Sequence, residues 1–261
     1  MIWAITRLRS DFKTWERPTQ VAVMVGLVLL AILLIVAFTT PTLRQFALIG
    51  VGGLLIVSEV AVMWGNRGMI SALTLAQRHY LEGDFESTRS VLEAGRERGK
   101  MDVRAITLLG NTYRQLGRLA ESEAILSEAI DKAPDHHFPR FGFGRTLLSK
   151  GDYAGAVESI RRSVELGAPP VVVLDLGEAY YRLGMSDEAR VTLESATSDE
   201  PYRQLMQTYL LHKIDASFHP PSLELIQKGL PYWLASAERF RDTPYGEALK
   251  NDIEQMQGAS N

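Results

Sequence analysis

The residue types best able to do chemistry are few in this chain and poorly assembled. His136 and His137 are adjacent, with Asp135 beside them. Neighbouring side chains in a turn seldom bind one ion, and no other His, Asp or Glu falls at a ligand spacing, so no metal site is expected. The run GVGG at 50–53 has the glycine density of a phosphate loop. It lies inside an apolar stretch where a phosphate would not be met. There is no cysteine, which removes disulfides, thiolate catalysis and cysteine-bound zinc or iron–sulfur groups. Serines and aspartates are scattered with no nucleophile elbow. No catalytic residue, no cofactor and no enzymatic activity are expected. Glu59 is the one carboxylate within the apolar runs. Acids at such positions are often functional, but one acid without a second titratable group makes no proton path. Contact with a partner is the expected role.

Charge and hydropathy divide the chain. Of 28 Lys/Arg and 31 Asp/Glu in 261 residues, residues 1–65 hold five and three, which leaves 23 and 28, a net of −5, for the other 196. That acidity argues against nucleic-acid binding, which needs clustered positive charge. Gln20–Phe38 and Phe46–Trp64 are two apolar runs of equal length, joined by TTPTLRQ with Pro41 as breaker. At a rise of about 1.5 Å per residue each helix would span about 28 Å, near the hydrocarbon thickness of a bilayer. The expectation is a transmembrane hairpin within 19–65. Its first run is too long for a signal-peptide core and lacks a small-residue cleavage site. Arg7, Arg9, Lys13 and Arg17 flank the first run, Arg67 and Arg78 follow the second, and the link holds only Arg44. By the positive-inside rule both termini are expected in the cytoplasm, the protein being a multi-pass component of the cell inner (plasma) membrane. Ile5, Leu8, Phe12 and Trp15 share a helical face, so residues 1–18 read as an interfacial amphipathic helix, or as a basic flank that only sets topology. Gly26, Gly50 and Gly53 permit close helix approach and, with Glu59, are the expected contact residues of the spans.

Beyond Gly65 a period takes over. Gly83, Gly117, Gly151 and Gly184 recur at steps of 34, 34 and 33 along the chain, in the contexts YLEGDF, RQLGRL, LSKGDY and YRLGMS. Each reads as a helix end, a turn glycine and a new helix start. Leu109-Gly110, Phe143-Gly144 and Leu176-Gly177 recur in phase, as do Tyr113 and Tyr180, Ala129, Ala156, Ala189 and Ala196, and Pro134 and Pro201. These features resemble the tetratricopeptide repeat, with its L-G-x-x-Y, A-x-x-x-F and P pattern over roughly 34 residues. Four repeats are expected at 69–102, 103–136, 137–170 and 170–203. The first is degraded, with Ala76, His79 and Lys100 at the glycine, tyrosine and proline places, as terminal repeats usually are. The fold class is all-α: a two-helix transmembrane hairpin, then an α-solenoid with C-terminal capping helices at 204–261. In that tail Ser222 can cap a helix, Pro231 can kink it, and Leu249, Ile253 and Met256 share a face. Tyr232 and Trp233 leave open a partner surface instead of a cap.

The resemblance implies which residues line the inner face formed by the first helix of each repeat. They include Arg104, Thr107, Asn111, Arg114 and Gln115, then Phe138, Phe141, Arg145 and Leu148, then Leu174, Glu178, Tyr181 and Arg182. Arginines and aromatics thus converge on an acidic domain, which suits a peptide with acidic and apolar residues. The family's carboxylate clamp is not expected. It wants asparagine at the sixth position of a repeat, where Thr74, Leu108, Gly142 and Asp175 stand. The expected function is a membrane-anchored scaffold or adaptor that binds proteins or assembles a membrane complex, with the lipid bilayer as its second partner. The alternative is a non-catalytic subunit of a membrane enzyme or transport complex, held through its spans.

Overall fold

The computed structural model describes residues 17–99 and 101–258. The amphipathic segment expected at residues 1–18 falls almost wholly outside them. Among the described residues every regular element is helical. The chain divides into two compact units, residues 1–78 with 93–100, and residues 79–92 with 101–261.

In the first unit, α1 (Arg17–Thr39) is followed by a 3-10 turn (Pro41–Leu43) and by α2 (Arg44–Leu81). Pro41 stands at the turn's start, where its missing N–H is not needed. Among the described residues no single helix is long and apolar enough to cross a membrane. Met24–Thr39 and Pro41–Val57 pass by length and composition only as a pair, bent by 119°, short of the full reversal of an antiparallel hairpin. Phe38, Phe46, Ile49 and Ile56 are exposed, while the small residues Gly26, Ala37 and Ala47 are buried. α2 continues without a break through Gly65 and Gly68, because that stretch holds no proline and an isolated glycine weakens a helix without ending it.

In the second unit helices alternate in pairs. α3 (Phe85–Glu97) belongs to this unit as far as Leu92; α4 (Val103–Gln115) and α5 (Leu119–Lys132), α6 (His137–Lys150) and α7 (Tyr153–Glu165), and α8 (Val172–Leu183) and α9 (Ser186–Ser195) are three pairs. Then come α10 (Pro201–Ile214), α11 (Leu223–Arg239) and α12 (Pro244–Gly258). The four periodic glycines all have positive φ, from 74° at Gly117 to 89° at Gly151, a conformation in which a Cβ is strained. Asp84, Asp102 and Asp152 cap the next helices by accepting from the Ser87, Ala105 and Gly155 amides. His136 has the same task for α6: its Nδ1 accepts from the Phe138 amide at 3.2 Å.

The in-phase glycines sit where paired helices touch. A Cβ on Gly110, Gly144 or Gly177 would lie 2.4 Å from Leu126, 2.5 Å from Ile160 and 2.7 Å from Leu193. Those three side chains are almost wholly buried, so each glycine admits a large aliphatic group from the second helix of its own repeat. The Ser122 hydroxyl donates to the Gly110 carbonyl of its own repeat and lies 2.8 Å from the Thr146 hydroxyl of the next. This hydroxyl pair satisfies polar atoms that would otherwise be costly in the core.

Candidate binding face

The first helices α4, α6, α8 and α10 line one face of the second unit, and the tail lies on it. α11 starts against α10, where Gly229 leaves room for Leu205 and the Pro201 carbonyl. The Trp233 indole N–H donates to the Tyr202 carbonyl at 2.7 Å, and Tyr232 stacks on Tyr202 with ring centroids 3.8 Å apart. α11 ends at α4, where the Arg239 guanidinium donates to Gln115 Oε1 at 2.6 Å. After the turn, Pro244 packs on Gly151 at the end of α6. α12 then returns: the Tyr245 hydroxyl donates to Glu178 of α8 at 2.9 Å, and the Tyr209 hydroxyl of α10 donates to Asp252 at 3.0 Å. Trp233, Phe240, Tyr245, Leu249, Ile253 and Met256 join one hydrophobic core with Leu148, Leu174 and Leu205. The tail therefore does more than cap the last repeat. It is a helical hairpin laid along the inner face as far as α4.

This placement sorts the residues expected to line the groove. Arg104 is exposed, and Phe138 and Phe141 are half-buried, so the part of the face near the start of α4 and α6 stays open. Asn111 and Arg114 are buried. The Arg145 guanidinium pairs with the buried Asp175, which also receives Arg203 Nη1 at 3.0 Å. Arg182 is buried between Glu178 at 3.5 Å and Asp252 of the tail at 2.6 Å. Tyr181 is half-buried and packs against the core shared with the tail. Two of the expected peptide-binding arginines, Arg145 and Arg182, are thus already paired within the chain. Burial alone would lower the Arg182 pKa, but Glu178 and Asp252 outweigh it and hold the guanidinium above its ordinary value. A cavity of about 20 Å³, room for one water, remains between Arg145, Asp175, Glu178, Arg203 and Trp233.

Gly142, at the sixth position of its repeat, has a role of its own. A Cβ there would lie 2.8 Å from Asn111 Oδ1. The glycine leaves the space into which Asn111 extends, and Asn111 in turn accepts from Arg114 Nη2 at 3.4 Å. Sequence reasoning did not find Arg203, Arg239 or Asp175 as members of this face. Tyr232 and Trp233 stood out by size, but their partner Tyr202 comes from a different helix.

Among the residues of the apolar runs, Gly50 lies where α1 and α2 meet, its Cβ position 3.3 Å from Leu33. Gly26 is buried, Gly53 faces open space, and Glu59 is exposed.

Paired helices stacked at a fixed period, with glycines in phase at their contacts, define an α-solenoid repeat domain. A sequence model of the tetratricopeptide repeat matches residues 73–137 and 141–201, and the chain belongs to that family. Similar solved structures include TTC0263, a thermophilic tetratricopeptide repeat protein of Thermus thermophilus. It is 16% identical, with 72% of this chain and 98% of that one aligned at a TM-score of 0.50. MamA of Desulfovibrio magneticus RS-1 (residues 41 to its end) aligns over 68% and 97% at 16% identity with a TM-score of 0.49. MamA of MSR-1 aligns over 67% and 97% at 20% identity with a TM-score of 0.48. A comparison with curated protein sequences found no match.

Proposed function

We propose that this chain is a non-catalytic adaptor, anchored by its first unit in the cell inner membrane with both termini cytoplasmic, whose repeats bind a partner protein through the open part of their inner face. The observation that carries the reading is that face itself. Arg104 is exposed and Phe138 and Phe141 are half-buried there, on the same helices, α4 and α6, as Arg114 and Arg145. A cation beside aromatic rings suits a segment with acidic and apolar residues. The anchor is supported by exposed apolar side chains over Met24–Val60, which water would disfavour by about 25 cal/mol for each Å², and by the Lys/Arg bias of the flanks.

The test is affinity purification of the full-length protein from gently solubilised membranes, with Arg104→Glu combined with Phe138→Ala. Arg104 is exposed and Phe138 only half-buried, so the fold should survive. The expected result is a specific partner with the unaltered chain and at least tenfold less of it with the double variant. Equal recovery from both would reject the inner face as the binding surface.

A further inference from the structure

The arginines of the inner face outnumber the acids that serve them. Arg182 has Glu178 and Asp252, and Arg145 and Arg203 share Asp175. No carboxylate among the described residues pairs with Arg114 or with Arg239. Arg239 spends one Nη on Gln115 and lies over the rings of Phe85 and Phe240. Arg114 is only 8% exposed. It has the distant Asn111 Oδ1 at 3.4 Å, and its Nε has no hydrogen-bond partner. Arg145 and Arg239, both cationic, and the phenols of Tyr80 and Tyr232 act on it electrostatically. Burial first, then Arg145, hold its pKa below the ordinary arginine value, yet a guanidinium stays charged. An unpaired buried cation is among the most destabilising features a fold can hold. A sequence that keeps one here, beside two more cations, has a site that is incomplete without an anion.

Resting on the reading of this face as a partner-binding surface, we propose that Arg114, Arg239, Arg145 and the Tyr232 hydroxyl form a receptor for one acidic side chain of the partner protein. The repeats and the C-terminal hairpin build it jointly. A planar guanidinium matches a carboxylate by a two-bond fork. Arg114 offers a free Nε for such a bond, and Tyr232 supplies a hydroxyl donor. The Tyr232 phenol feels four guanidinium groups, from Arg145, Arg114, Arg203 and Arg239. Burial pushes its pKa up, but together they outweigh it and hold it below the usual tyrosine range. The same field that favours a phenolate favours a carboxylate. Arg104 and Phe138, which keep exposed surface, stand on the same two helices, α4 and α6, as Arg114 and Arg145. The tail is thus part of the receptor as well as the cover of the last repeat.

The test uses the full-length protein in detergent micelles and a fluorescein-labelled peptide that alternates Glu and Leu, with its Gln–Leu counterpart and inorganic phosphate as controls. The Glu peptide should bind at least tenfold more tightly than the Gln peptide. Arg114→Met keeps the length and removes the charge; it should erase that tenfold preference and raise the melting temperature of the unliganded second unit. Arg239→Met, on the tail, should weaken the Glu peptide several-fold. A melting temperature lowered by Arg114→Met with an unchanged Glu preference would make Arg114 a structural residue and overturn the receptor. So would phosphate that displaces the Glu peptide at equal concentration, or Glu and Gln peptides that bind alike. In each of these cases the adaptor reading stands or falls separately, on recovery of the partner by the Arg104→Glu, Phe138→Ala variant.

Discussion

Replacing Gly246 with alanine should loosen the C-terminal hairpin while leaving the repeats intact. A Cβ at Gly246 would lie 2.0 Å from the Phe240 carbonyl oxygen, 2.4 Å from its carbon and 2.9 Å from the Arg241 nitrogen. All three are backbone atoms of the turn between α11 and α12, so no side chain can rotate away. The first turn of α12 must move, and forced shifts of this kind cost about 1–3 kcal/mol, occasionally more. The better helix propensity of alanine returns at most about 1 kcal/mol. Holding α12 in place are Tyr245, Leu249, Ile253 and Met256, all buried, each worth about 1.5–3 kcal/mol on removal from water. Burial exceeds strain, so α12 stays docked in most molecules. The 2.0 Å approach to fixed backbone puts the strain at the upper end, leaving about 2 kcal/mol, and at about 1.4 kcal/mol per factor of ten the opening should become about thirtyfold more frequent. Amide hydrogen exchange over 244–258 measures this directly. Gly258→Ala is the control, because its Cβ meets nothing within 4 Å. Unchanged protection of 244–258 in Gly246→Ala would refute the packing argument. An equal loss of protection across α4–α9 would show that the tail and repeats open together.

Alanine at the three in-phase glycines should destabilise by about 1–3 kcal/mol each in urea titrations. Gly144 should suffer most, because its Cβ also approaches the Ile160 nitrogen at 3.1 Å and the Ala156 carbonyl at 3.3 Å, and a neutral Gly144→Ala would contradict the close approach. Alkali should release the tail. Burial, reinforced by Asp252 at Tyr209 and by Glu178 at Tyr245, raises both phenol pKa values. Their contribution is fully present below the unfolded tyrosine value of about 10 and is lost as pH rises toward the folded values. In a spectrophotometric titration these two phenols should ionise only as helical signal falls, whereas Tyr232, shifted the other way, should ionise first; a single tyrosine transition before any loss of helix would reject this ordering. Trp233→Phe removes the indole donor to the Tyr202 carbonyl, at a cost of about 1 kcal/mol. An unchanged urea midpoint would show that the bond contributes nothing.

Much of the fold was legible because its causes are local. The turn at Gly151 needs a left-handed residue, the cap at Asp152 reaches an amide a single turn further on, and Gly144 faces Ile160 within one repeat. The turn glycine recurs in all four repeats and the glycine–aliphatic contact in three, at Gly110, Gly144 and Gly177, and these leave a visible period. The inner-face positions were legible too, since the family pattern implies them, but the state of their side chains was not. Arg145 reads as an available cation until Asp175 is placed against it, and Arg182 until Asp252 arrives from the last helix of the chain. Arg114 reads the same in sequence, yet no carboxylate among the described residues pairs with it, and its Nε has no hydrogen-bond partner. The mere presence of opposite charges along a chain does not tell which will meet.

By itself, then, the sequence determined the helical repeats, the glycine turns between their paired helices and the apolar character of the first segment. Periodicity and hydropathy act through neighbours along the chain. Only the tertiary structure decided that the tail lies back on the inner face as far as α4, that the apolar segment bends by 119° rather than folding flat on itself, and which arginines remain unpaired. Those outcomes depend on where the ends of long side chains fall after helices pack, and that is set by the summed geometry of every turn before them.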